Sequence, residues 1–153
     1  LETGCIRAEE DWRGAGFSTY LLGAYATAAG GRLWSVDSSL ERCLFARRWT
    51  RVFGSQVSAH TADSVDFLRA HNEPVDLLYL DAMDTYQDAC PSHRLQEIQA
   101  AEPHLHRTSM VTMEDTSIFK GIWQRKGSLA VPWMLERGWK VLHSGHQTVL
   151  VRK

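Results

Sequence analysis

Leu1-Glu2-Thr3-Gly4-Cys5-Ile6 opens the chain. After a polar excursion it continues Gly14-Ala15-Gly16-Phe17-Ser18-Thr19-Tyr20-Leu21-Leu22. The stretch reads as the end of a buried strand, a loop closing on glycines, and the first turn of a helix. Gly4 lets the backbone leave the sheet with no side chain in the way. Gly14 and Gly16 permit positive φ and close approach of a ligand. Ser18 or Thr19 is expected to cap the helix, whose free N–H groups face the crevice beyond the strand ends. Strand, glycine loop and helix at the start of an α/β domain form the usual cofactor crevice of such folds.

Outward from that unit, short apolar runs alternate with longer helical patterns, which predicts βαβ units and a parallel sheet. Strands are expected at 1–3, 32–36, 57–60, 75–80 and 109–113. Helices are expected at 18–29, 40–49, 64–70, 94–105 and 129–136. Leu21, Leu22, Tyr25 and Ala26 form the expected buried face of the first helix, and Ser38 or Ser39 the cap of the second. Residues 82–93 read as a loop. Residues 116–128, rich in Gly and Lys, read as a mobile loop. The chain closes with strands at 139–144 and 147–151 around Gly145-His146, a hairpin. The fold class is α/β: a Rossmann-like, doubly wound, mostly parallel sheet of about seven strands ending in an antiparallel hairpin. Its 153 residues suit a single domain. Because the chain starts inside a strand, an N-terminal segment is expected to be missing. The charged insert at 7–13 lengthens the first loop and belongs on the surface.

Seventeen basic residues stand against eighteen acidic ones, a net charge of −1. This balance predicts no nucleic-acid partner. No apolar run reaches the ~20 residues of a membrane span, so no membrane partner is expected. Cys5, Cys43 and Cys90 are odd in number and lack zinc spacing. They read as reduced thiols of a cytoplasmic protein.

The most informative feature is a series of acids. Glu2 lies at the end of the first strand, and Asp37, Asp63, Asp81 and the pair Glu114-Asp115 follow the next four. Any one of them reads as a turn or cap residue. Five successive strand ends bearing carboxylates read as a site. A carboxylate after strand two suits vicinal ribose hydroxyls, one after strand three the exocyclic amine of adenine, and those near Gly4 and after strand four a ligand ammonium. The spacing from Gly4 to Gly14 is too wide for the dinucleotide fingerprint, and no P-loop lysine is present.

With Glu2-x-Gly4, Gly16-x-Ser18-Thr19, Asp37 in WSVDSS, Asp63-Ser64 in HTADSVDFL, Asp81 in DLLYLDAMDTY and Glu114-Asp115 in VTMEDT, the chain resembles the class I S-adenosylmethionine-dependent methyltransferases. Within them it looks most like the small-molecule O-methyltransferases of the macrocin and catechol type. The resemblance implies S-adenosylmethionine as cofactor, bound by Glu2, Gly4, Gly16, Ser18, Thr19, Asp37, Ser38, Asp63, Ser64 and Asp81. It implies Mg²⁺ held by Asp81, Glu114 and Asp115, which would lower the pKa of an acceptor hydroxyl. The acceptor is expected to be a small molecule, and a homodimer is allowed. Many relatives read D-G-D-H-x-Y after strand four. Here the run is Asp81-Ala82-Met83-Asp84-Thr85-Tyr86, so Asp81 and Asp84 are the catalytic candidates, with His93 and His146 behind them. Trp12, Trp123 and Trp133 read either as a substrate wall or as packing. The competing readings are a cofactor-binding domain without methyl transfer, a nicotinamide-dependent oxidoreductase, and a metal-dependent hydrolase.

Overall fold

The computed structural model describes residues 1–10 and 17–152. The expectations for Gly14, Gly16 and Trp12, and for the end of the 7–13 insert, therefore lie outside the described residues. The chain falls into two compact units, Leu1–Ser64 and Val65–Lys153.

The first unit carries β1 (Glu2–Thr3), α1 (Ser18–Ala28), β2 (Leu33–Asp37), α2 (Leu40–Thr50) and β3 (Val57–Thr61). The strand order is β3-β2-β1, all parallel, with Glu2 opposite Ser35 and Asp37 opposite Thr61. Helix α2 begins where Ser39 Oγ accepts a hydrogen bond from the Arg42 N–H at 3.3 Å. Glu41 in its first turn and Arg47 and Arg48 in its last complement the helix dipole. Phe17, Cys5, Ile6, Cys43, Ala46 and Ala59 form the core here. Phe17 meets the Trp49 ring edge-on at 5.2 Å, which anchors the chain just before α1.

Helix α1 departs from expectation in two ways. Its cap position is Phe17, with no side-chain cap bond. Thr19 Oγ1 instead accepts from the Ile6 N–H at 3.0 Å, tying the loop after β1 to the helix. Leu21 and Tyr25 are exposed, and the buried positions are Thr19 and Gly23. The reason is close approach: a Cβ at Gly23 would stand 3.0 Å from Val57 Cγ2. Small residues, not the apolar face, are turned inward.

The second unit carries α3 (Ser64–Ala70, its first residue closing the preceding unit), β4 (Val75–Leu80), α4 (Cys90–Ala101) and β5 (Leu105–Met113). It continues with β6 (Thr116–Phe119), β7 (Ile122–Arg125), α5 (Gly127–Leu135), β8 (Trp139–Ser144) and β9 (Thr148–Arg152). Its strand order is β4-β5-β9-β8. β4 and β5 are parallel, and the β5–β9 and β8–β9 pairs are antiparallel. Leu68, Leu78, Leu80, Ile98, Val111, Met113, Val131, Met134 and Leu150 are among its fully enclosed apolar side chains. The α/β class, with a mostly parallel seven-stranded sheet and a closing antiparallel hairpin, is the expected one.

Several boundaries differ, among them the start of β5, at Leu105 instead of 109, and the end of α4, at Ala101 instead of 105. Helix α4 starts four residues early, at Cys90, because Pro91 occupies its first turn, where no backbone N–H is needed. Residues 116–125 form an antiparallel hairpin, β6–β7, in place of the expected mobile loop. Lys120 and Gly121 both take positive φ, 51° and 78°, the signature of a tight primed turn. The three cysteines are free and buried.

Candidate functional site

In the first unit the candidate site gathers at the carboxyl ends of β1 and β2. Gly4 takes φ 82° and donates its N–H to the Val36 carbonyl at 2.8 Å. That positive φ turns the chain out of β1, and glycine accepts it without strain. Asp37 is 7% exposed. Its Oδ1 accepts from the Ser39 N–H at 2.8 Å, and its Oδ2 from the Cys5 N–H at 3.4 Å. Arg42 Nη1 lies 3.6 Å from the same Oδ2. One carboxylate thus fixes the loop after β1 against the start of α2. Each of its oxygens has two acceptor positions, so capacity is left for a ligand hydroxyl.

Glu2 is fully buried. Ser35 Oγ donates to its Oε2 across the β1–β2 pair. Burial raises its carboxyl above the ordinary 4.5, against the lowering influence of the Ser18, Ser35 and Thr19 hydroxyls. Such a carboxyl is a pin among β1, β2 and α1. Ser38 and Asp63 are exposed and Ser64 is buried. The Ala62 N–H donates to the Asp37 carbonyl at 3.1 Å, which places the turn bearing Asp63 beside the end of β2. Glu2, Gly4, Thr19, Asp37 and the 62–64 turn therefore belong to one neighbourhood. Cys5 lies inside it as an inert thiol, because burial pushes its pKa up.

In the second unit another cluster stands at the ends of β4 and β5. The Glu114 N–H donates to the Leu80 carbonyl at 3.0 Å, which brings Asp81 and the 114–115 pair to adjacent strand ends. A lysine occupies the space between two of these acids. Lys126 Nζ lies 3.0 Å from Asp81 Oδ1 and 2.9 Å from Asp115 Oδ2, and the side chain is 2% exposed. His146 Nε2 is 3.3 Å from Asp115 Oδ1. Glu114 Oε1 accepts from Tyr79 Oη and Gln147 Nε2.

The Mg²⁺ expected at Asp81, Glu114 and Asp115 does not fit this arrangement of side chains. A divalent ion of that kind takes near-octahedral oxygen ligands at ~2.1 Å. Here an ammonium stands between two of the acids, and neutral donors hold the third. Among the described residues no group of three or more His, Cys, Asp or Glu side chains is arranged to hold a metal.

Asp84 is partly exposed and accepts from Tyr86 Oη at 3.0 Å, beside Met83 at φ 63°. His93 leans on Glu97, with Nε2 to Oε1 at 3.6 Å, and His146 sits in the β8–β9 turn. Trp123 lies on β7, and Trp133 on α5 under the Arg137 guanidinium, 3.7 Å from the ring centroid. Sequence reasoning missed two residues of consequence. One is Lys126, hidden in a segment read as a loop. The other is Arg94, 1% exposed and paired at 2.8 Å with the enclosed Glu97; Arg94 Nη2 also donates to the Ala82 carbonyl at 3.2 Å. An i,i+3 Arg–Glu pair on a helix reads as a solvated face, and only packing reveals that it is interior.

The sequence model of a family described as "Methyltransferase domain" matches residues 13–116. No curated protein sequence matches the chain. Among solved structures it is similar to the SAH-bound methyltransferase PaMTH1 of Podospora anserina, with TM-score 0.69 and 11% identity, covering 100% of this chain and 70% of that one. It is also similar to SMU.1697c of Streptococcus mutans, a candidate methyltransferase in complex with SAH. There the TM-score is 0.61 and the identity 10%, covering 97% and 85% of the two chains. A candidate rRNA methylase of Clostridium thermocellum matches with TM-score 0.60 and 12% identity, covering 97% and 85%.

That last neighbour overturns the expectation of no nucleic-acid partner. The same fold serves a protein described as acting on rRNA. A net charge of −1 averages over a whole surface, whereas phosphate contacts depend on local charge, so the average excludes nothing. As for membranes, no described helix is long and apolar enough to cross one.

Proposed function

Since the chain belongs to the methyltransferase domain family, we propose that it transfers a methyl group from S-adenosylmethionine to an oxygen of its acceptor. The observation that carries this reading is the Asp37 carboxylate. It is held by the Ser39 and Cys5 N–H groups beside the positive-φ turn at Gly4.

In this reading Asp37 accepts hydrogen bonds from the ribose hydroxyls with its remaining lone pairs. Gly4 and the loop it opens line the methionine portion, together with Gly16, Ser18 and Thr19. Ser38, Asp63 and Ser64 line the adenine side. Glu2 sets the loop through Ser35. When bound, the cofactor supplies an electrophilic methyl group on its sulfonium. What supports an oxygen acceptor is the acidic run after β4, where Asp84 is accessible to take a hydroxyl proton. Asp81, paired with Lys126, orients that run. Most of the remaining catalysis is positioning of the two reactants.

Binding separates this from the other readings. S-adenosylhomocysteine raises the melting temperature and NAD does not. Asp37→Ala removes most of that shift. If NAD stabilises the protein and S-adenosylhomocysteine does not, the reading is wrong. The acceptor is found by supplying labelled cofactor with small hydroxylated molecules and with RNA in parallel.

A further inference from the structure

The acidic strand ends of the second unit already hold a cation, and it belongs to the chain. Lys126 Nζ sits between Asp81 and Asp115 at 3.0 and 2.9 Å, with 2% of its side chain exposed. An ammonium has three N–H donors, and two are spent on these carboxylates. We propose that the Lys126 ammonium is the resident cation of this cluster, standing where metal-using relatives would carry a divalent ion, so that methyl transfer by this chain is metal-independent.

Three observations carry it. The first is distance. Both carboxylates point at one nitrogen, so a metal could reach their facing oxygens only after the ammonium withdrew. Leaving it enclosed and unpaired is strongly unfavourable. The second is position. Lys126 is the residue at which α5 begins, where the helix dipole disfavours a positive charge. The acids, not the helix, therefore hold it there. The third is the other acceptor atoms. Asp115 Oδ1 faces His146, and Glu114 Oε1 takes Tyr79 and Gln147. Those two oxygens are therefore already engaged by side chains of the chain.

Lys126 is on this view a positioning residue. It joins the ends of β4 and β5 to the start of α5 and holds the Asp81 carboxylate in place. The β6–β7 hairpin delivers it, because the tight turn at Lys120-Gly121 returns the chain directly to the strand ends.

The inference rests on the methyltransferase reading only for its consequence on activity, and its test is a binding measurement. Mn²⁺ is titrated into the whole chain and followed by electron paramagnetic resonance, with and without S-adenosylhomocysteine. Wild type shows no saturable binding. Lys126→Met, which keeps the stem and removes the charge, tightens Mn²⁺ binding by about tenfold or more, since the repelling charge is gone. Adding Asp81→Asn to Lys126→Met abolishes the gain. Saturable binding by wild type that Asp81→Asn removes overturns the proposal, and so does a folded Lys126→Met variant with no gain. If Lys126→Met fails to fold, the wild-type titration decides alone. Failure of the methyltransferase reading would show instead as loss of the S-adenosylhomocysteine thermal shift, whatever Mn²⁺ does.

Discussion

Asp37 Oδ1 and the Ser39 N–H stand 2.8 Å apart, and this bond turns the chain from β2 into α2. The same carboxylate receives the Cys5 N–H and faces Arg42. A residue that reads as a ligand contact is thus also a structural clamp. Asp37→Ala is expected to lower stability by about 1–3 kcal/mol through its orphaned N–H partners, and separately to remove the S-adenosylhomocysteine shift. Asp37→Asn keeps an acceptor and recovers most of the stability. Urea unfolding measures the first effect and thermal shift the second. Equal stability of wild type and Asp37→Ala would remove the clamp.

Glu2 predicts a pH dependence. Burial raises its carboxyl above 4.5 in the folded chain. Below 4.5 both states are protonated and the full stability is present. Above it the unfolded chain releases its proton first, so stability falls as pH rises towards the folded value. Glu2→Gln abolishes that decline and raises the melting temperature at neutral pH. Melting curves from pH 4 to 8 are the check, and an unchanged slope in the variant would contradict the assignment.

The enclosed Arg94–Glu97 pair behaves unlike a surface pair. Removing one partner leaves a buried charge alone, so Arg94→Met is expected to cost about 3–5 kcal/mol. The double change Arg94→Met with Glu97→Met recovers part of that loss. Arg94 also holds the Ala82 carbonyl at 3.2 Å, so hydrogen exchange in the 82–89 loop accelerates in the single variant. A loss below ~1 kcal/mol would mean that water reaches the pair.

The turn of the β6–β7 hairpin depends on Gly121 at φ 78°. Gly121→Val must adopt the left-handed region at a cost of about 1–2 kcal/mol or more. The effect is local. Amide exchange at Ile118 and Trp123, which face one another across the pair, rises before the global melting temperature moves much. Unaltered protection of both amides would show that the turn has another solution.

The class of fold and the order of its parts are written in local pattern. Alternating apolar runs and helical patterns specify βαβ units, because strand and helix periodicities are local properties. Carboxylates at successive strand ends were legible for the same reason: Asp37, Asp81 and Glu114-Asp115 close or directly follow a strand, and Asp63 stands two residues beyond one. What those carboxylates touch was not legible. Lys126 reaches Asp81 across 45 residues, and Ser35 reaches Glu2 across 33. No local pattern encodes such pairs. Only strand register and the return of the hairpin bring them together. That the acids after β4 and β5 enclose an ammonium, and that Glu2 is a buried pin, emerges only in the folded chain. The physical reason is that burial and pairing are properties of packing, and they set a carboxylate's charge and its partners.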